Sequence, residues 1–117
     1  MKAFYYLKTC NTCQRILETL QLPDTVVLRE IKSQPLTAAE IQEMHSRAGS
    51  YEALFSKRAR LYQERGLKNQ ALSDTHFKSL LLEHYTFLKR PVLIWEDQIF
   101  VGNSKKTIEE ASNSIHG

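Results

Sequence analysis

Leu7-Lys8-Thr9-Cys10-Asn11-Thr12-Cys13-Gln14-Arg15 is where an apolar run with the character of a strand meets an apolar pattern with the period of a helix. Upstream, Ala3-Phe4-Tyr5-Tyr6-Leu7 is short, rich in aromatics and free of Gly and Pro, as a buried strand is. Downstream, Cys13, Ile16, Leu17 and Leu20 fall at i, i+3, i+4 and i+7, which predicts one buried helix face. Cys10 therefore stands at or just before the first helical turn. There its sulfur faces unpaired backbone N–H groups and the positive end of the helix dipole, and both favour thiolate over thiol. Cys13 shares the helix face three residues on and points further inward. The spacing predicts an exposed attacking sulfur and a shielded resolving one.

A Cys-x-x-Cys that follows a strand and opens a helix is a redox arrangement of thioredoxin-like proteins. Structural zinc is the rival reading, but it takes four ligands. The chain has only these two cysteines, and His45, His76, His84 and His116 are dispersed without paired ligand spacing. The plainer alternative is a pair of small buried hydrophobes.

The remaining composition sets bounds. A chain of 117 residues, 42% hydrophobic and 25% charged, is expected to form one domain with its own core. No apolar run approaches the length that crosses a bilayer, and Met1-Lys2 leads directly into the first strand without a signal-peptide pattern. The expectation is a cytoplasmic protein, where a Cys-x-x-Cys is catalytic more often than a structural staple. A formal charge of +3 admits an anionic substrate yet falls short of a nucleic-acid footprint.

Along the chain, Leu22-Pro23-Asp24 should end the first helix, and β-branched Thr25-Val26-Val27-Leu28-Arg29-Glu30-Ile31 reads as a second strand. Strand, helix and strand in so short a span predict a parallel βαβ unit. Thr37-Ala38-Ala39-Glu40 is a capping box, with Leu36 and Ile41 as its staple, and Gly49 is the expected stop. Ser50 can cap a short helix through Phe55. The basic cluster Ser56-Lys57-Arg58-Ala59-Arg60-Leu61-Tyr62 reads as a solvated helical face or as part of a site. A helix from Ser73 buries Phe77, Leu80, Leu81 and His84, with His84 at the core edge. Val92-Leu93-Ile94-Trp95 and Ile99-Phe100-Val101, joined by a turn at Glu96-Asp97, predict a β-hairpin, and Ser104 caps a last helix buried through Ile108, Ala111 and Ile115.

A βαβ unit followed by ββα, with Cys-x-x-Cys on the first turn and Pro91 opening the third strand, resembles the thioredoxin fold with a helical insertion at about 37–86. That resemblance implies a cis bond before Pro91, a conformation tolerated essentially only before proline. More closely, the chain resembles the arsenate reductase (ArsC) family, which includes Spx-like redox regulators. The likeness rests on Cys10-Asn11-Thr12-Cys13-Gln14-Arg15, on Arg29-Glu30-Ile31 leading to Pro35-Leu36-Thr37-Ala38-Ala39-Glu40-Ile41, on Phe55-Ser56-Lys57-Arg58, and on Arg90-Pro91-Val92-Leu93-Ile94.

The resemblance implies a catalytic Cys10, with Cys13 or glutathione resolving, and a substrate-binding group of Thr9, Asn11, Arg58, Arg90 and Pro91. Arg60 is the alternative to Arg58. A guanidinium suits the role because it holds two oxygens of a tetrahedral anion at once. Electrons would come from glutathione, glutaredoxin or another thiol, with no bound cofactor and no metal, in a monomer acting on a small oxyanion or disulfide. Three departures from the family pattern bear on the reading. Arsenate reductases of this type carry a further arginine just past the last strand, where this chain reads Gly102-Asn103-Ser104-Lys105. Cys13 is a second cysteine where family enzymes often have one, and Gln14 stands where Spx-like motifs tend to be basic. The readings are then a thiol oxidoreductase, a redox-switched regulator binding RNA polymerase, or a binding module with vestigial cysteines.

Overall fold

A computed structural model describes residues 1–117 and resolves them into two compact units, Met1–Gln34 with Arg90–Gly117, and Pro35–Lys89. In the first unit the strands are β1 (Lys2–Tyr6), β2 (Val27–Glu30), β3 (Val92–Trp95) and β4 (Gln98–Val101). They form one sheet in the order β2-β1-β3-β4, with β1 parallel to β2 and antiparallel to β3, and β3 antiparallel to β4. The helices of this unit are α1 (Asn11–Leu20) and α5 (Lys105–His116). With the helical unit Pro35–Lys89 lying between β2 and β3 in the chain, this is the α/β thioredoxin-like fold with a helical insertion.

Burial on both faces suits β1 to an inner place in the sheet, since Ala3, Phe4, Tyr5 and Tyr6 are all buried. Phe4 and Tyr6 face one side and join Cys13, Ile16 and Leu20 of α1, Val26, Leu93 of β3 and Ala111 of α5 in one buried cluster. Ile108 and Ile115 of α5 pack against that cluster while remaining half-buried. The helix α1 ends at Leu20, earlier than Leu22-Pro23, because Gln21 adopts a left-handed conformation with φ of 47°. Its last turn is also met from outside, where Leu20 O lies 2.6 Å from Nε2 of His116.

The second unit contains α2 (Ala38–Ala48), α3 (Arg60–Glu64) and α4 (Asp74–Glu83), with 3₁₀ turns at Glu52–Leu54, Leu67–Asn69 and Tyr85–Phe87. The Thr37 capping box forms, Thr37 Oγ1 accepting from Glu40 N–H at 3.1 Å while the Glu40 carboxylate accepts from Thr37 N–H at 3.0 Å. Gly49, at φ of 91°, ends α2 by donating to His45 O at 2.8 Å. The unit's core is aromatic, with Phe55 lying 4.8 Å from Phe77, 5.1 Å from Phe87 and 5.7 Å from Tyr62.

Three local expectations change. The strand edges draw in, β1 stopping at Tyr6 rather than Leu7 and β2 starting at Val27 rather than Thr25. The basic stretch from Ser56 is not one helix: Ala59 N–H closes a turn on Ser56 O at 3.3 Å, and α3 starts only at Arg60, so Lys57 and Arg58 stand on the turn. His84 lies past the end of α4 in an extended conformation. It is half-buried, its ring stacks on Tyr85, and its Nδ1 accepts from Thr86 N–H at 3.0 Å.

Candidate functional site

The site grows from the way the chain leaves β1. Leu7 is buried, Lys8 and Thr9 form an exposed turn, and Cys10 N–H donates back to Leu7 O at 3.2 Å. This turn delivers Cys10 to the N-cap of α1 in an extended conformation (φ −93°, ψ 108°). An N-cap is usually Ser, Thr, Asp or Asn, whose oxygen accepts one of the helix's unpaired N–H groups. Here the sulfur does so, Cys10 Sγ accepting from Cys13 N–H at 3.4 Å. Asn11, the first helical residue, is exposed, as is Thr9 on the other side of Cys10.

The two thiols are driven apart electrostatically. For Cys10, partial burial raises the pKa, but N–H of Cys13, the Cys13 thiol, the positive charge of Arg90 and N–H of Thr12 together outweigh it, and the pKa falls below the ordinary thiol value. Cys13 is 0% exposed. Its pKa is pushed up to about 11, by burial first and then by its hydrogen bond to Cys10 and the charge there, against the lowering influence of the Leu7 backbone and Arg90. One sulfur is thus prepared to ionise next to a neighbour that holds its proton.

Arg90 is half-buried and precedes a cis bond to Pro91, which is itself buried. Pro91 O accepts from Gly102 N–H at 2.9 Å, which fastens the start of β3 to the end of β4. Cys10, Cys13 and Arg90 are therefore brought together within the first unit, with Thr9, Asn11 and Pro91 beside them in that unit. Arg58 and Arg60 both belong to the second unit, where both are exposed; Arg60 Nε lies 3.9 Å from the Glu64 carboxylate. No three His, Cys, Asp or Glu side chains converge into a group that could hold a metal ion.

Two residues at this site go beyond the sequence-based list. Glu30 ends β2, and its carboxylate accepts from Lys8 N–H at 3.1 Å. The Gln14 side chain, one turn into α1, donates to Lys8 O at 3.2 Å. A charged residue at the C-terminal end of a strand that pairs with β1 was the available signal, since that end of the sheet is where α1 begins.

A sequence model of the ArsC family matches residues 5–111. Among curated proteins, the global transcriptional regulator Spx 1 of Bacillus cereus is 27% identical over 112 residues, spanning 92% of this chain and 84% of that protein. Among solved structures, an arsenate reductase from Vibrio cholerae superposes with a TM-score of 0.78 at 18% identity, covering 94% of this chain and 96% of the other. A protein from Streptococcus mutans described as a possible arsenate reductase superposes with a TM-score of 0.72 at 27% identity, covering 94% and 96%. No helix in the chain is long and apolar enough to cross a membrane.

Proposed function

Since the chain belongs to the ArsC family, we propose that it is a thiol oxidoreductase in which the Cys10 thiolate is the nucleophile. The observation that carries this reading is the placement of Cys10 Sγ on the N-cap of α1, accepting from Cys13 N–H, within the field of Arg90. A sulfur held there is ionised at lower pH than a free thiol and stays exposed enough to attack.

On a disulfide substrate, Cys10 S⁻ attacks one sulfur, the substrate S–S bond breaks, and the other sulfur leaves as a thiolate that takes up a proton. On a tetrahedral oxyanion such as arsenate, an S–As bond forms and one oxygen leaves as water. In both cases a second thiol then attacks the Cys10 sulfur. The Cys10 adduct breaks with its electron pair going to the product, which releases the second substrate thiol or arsenite, and a disulfide remains for glutathione, glutaredoxin or another thiol to reduce. Cys13 suits the second attack once Cys10 is bonded, because two of the causes that raise its pKa, the Cys10 charge and the hydrogen bond to it, are then gone. Arg90 supports the anionic stages. The thiol chemistry fits a reducing compartment, and the cytoplasm is the location proposed.

The pH dependence of iodoacetamide alkylation at Cys10 tests the core of the reading. The expected midpoint lies below the roughly 8.5 of a free cysteine, and Arg90→Met moves it upward. A midpoint at the free-thiol value that ignores Arg90→Met overturns the nucleophile assignment. Turnover with glutathione, comparing arsenate with mixed disulfides in wild type and Cys10→Ser, then separates the substrates.

A second reading has its own support in the Bacillus cereus relative, a global transcriptional regulator matched over 92% of this chain. In it the Cys10–Cys13 pair is a redox switch for a contact with RNA polymerase. Capture of the polymerase α subunit that depends on the oxidation state of the pair favours the switch, and capture in neither state favours the enzyme.

A further inference from the structure

The turn that carries the chain from β1 to Cys10 is closed by Cys10 N–H donating to Leu7 O at 3.2 Å, so Lys8 and Thr9 are its two central residues. The N–H and C=O of the first central residue have no partner inside such a turn and ordinarily go to water. Both of those groups on Lys8 are instead taken by side chains. Its N–H donates to Glu30 Oε2 at 3.1 Å, and its C=O accepts from Gln14 Nε2 at 3.2 Å.

We propose that Glu30 and Gln14 are positioning residues for Cys10, acting as a two-sided clamp on the backbone of Lys8. The two peptide planes that flank Lys8 are each held, which fixes both of its soft dihedral angles. The next closure in the chain is Cys10 itself, so the clamp sets where the N-cap sulfur sits relative to the N–H groups of Thr12 and Cys13. The assignment rests on the reading of Cys10 as the nucleophile.

The division of labour within Glu30 makes the clamp specific. Oε1 accepts from Lys32 N–H at 3.1 Å, Ser33 N–H at 2.7 Å and Ser33 Oγ at 2.8 Å, organising the turn that follows β2. Oε2 is the oxygen that reaches Lys8. One carboxylate therefore ties the exit of β2 to the exit of β1, directly beyond the last rung of their ladder, the Tyr6 and Glu30 pair. Glutamine at this position has a single acceptor oxygen and presents an NH₂ group to the other side, so it has to release one loop. Aspartate keeps the charge but loses the reach.

The test uses the full chain with Glu30→Gln, Glu30→Asp and Gln14→Met. Native-state hydrogen exchange of the Lys8 and Cys10 amides should accelerate about tenfold in both Glu30 variants, while Tyr5 in the centre of the sheet keeps its rate. Cys10 alkylation below its midpoint should slow by roughly 3-fold to 10-fold, the effect of a midpoint raised by half a unit to one unit. The double variant Gln14→Met with Glu30→Gln should slow little more than the worse single variant, because both residues hold the same backbone. Unchanged exchange at Lys8 and Cys10 in all three single variants overturns the clamp, and so does faster exchange with wild-type alkylation. A wild-type Cys10 that alkylates as a free thiol removes the nucleophile reading instead, and the exchange rates still decide whether the clamp exists.

Discussion

Glu30 in the first unit and Asp74 in the second do similar work in different settings. Each carboxylate accepts backbone N–H groups from a distant segment: Lys8, 22 residues from Glu30, and Tyr51 and Glu52, 23 and 22 residues from Asp74. Around Glu30 the sheet already fixes the backbone up to Tyr6, and the carboxylate extends that order two residues further, into the turn before Cys10. Around Asp74 there are no strands, and the carboxylate holds the 3₁₀ turn at Glu52–Leu54 beside an aromatic core. In the first unit the polar contact serves the loop that carries the reactive sulfur, whereas in the second it serves the fold itself.

If that contrast is right, the second unit should depend most heavily on its aromatic centre. Phe55 is 1% exposed and touches three other rings. Phe55→Ala should destabilise the protein by ~3–5 kcal/mol, the range for deleting a buried phenylalanine. Urea unfolding followed by circular dichroism measures the loss. A change below about 1 kcal/mol would mean that the helical unit is held by its polar contacts after all, and the contrast would fail.

The next effect concerns acid. Glu30 has a pKa of about 2, against an ordinary 4.5, because N–H of Ser33, N–H of Lys8, the Ser33 hydroxyl and N–H of Lys32 favour the ionised form more than burial opposes it. A carboxylate whose pKa is depressed by folding stabilises the native state fully above its unfolded value. That contribution is lost as pH falls from about 4.5 towards 2. The urea midpoint of wild type should fall through this window more steeply than that of Glu30→Gln. Parallel curves would show that the ionised carboxylate adds nothing to the stability of the two turns it joins.

The same contrast explains what the sequence discloses. Helical period places α1, through Ile16 and Leu20, while β1 and the terminal hairpin read from short apolar runs, the first rich in aromatics and the second broken by the turn at Glu96-Asp97. Cys10 is legible for the same reason, since the junction of a strand and a helix has a fixed geometry. The cis bond before Pro91 follows from resemblance, not from pattern. Gln14 was hidden because its partner is the backbone carbonyl of Lys8, which no side-chain pattern marks, and Glu30 carried only the weak signal of a charge at the end of β2. In the second unit, the turn at Ser56–Ala59 escaped because a run of basic residues with good helix propensity reads as a helix, whereas Ala59 caps α3 without a side-chain hydrogen bond.

The smallest effect sharpens the comparison at its polar end. Asp74 Oδ1 accepts from both Tyr51 N–H and Glu52 N–H at 3.0 Å, and Oδ2 adds a contact to Tyr51 N–H at 3.1 Å. Asp74→Ala should therefore cost ~1–2 kcal/mol, the scale of partly exposed hydrogen bonds to a helix-turn backbone. Asp74→Asn should retain most of the stability in urea unfolding, because both N–H groups converge on one oxygen and an amide keeps one. Glu30→Gln lacks that option, since its two oxygens serve two different turns. An asparagine at 74 as damaging as alanine would show that the charge, not the acceptor, holds the 3₁₀ turn, and the two carboxylates would then differ in mechanism as well as in setting.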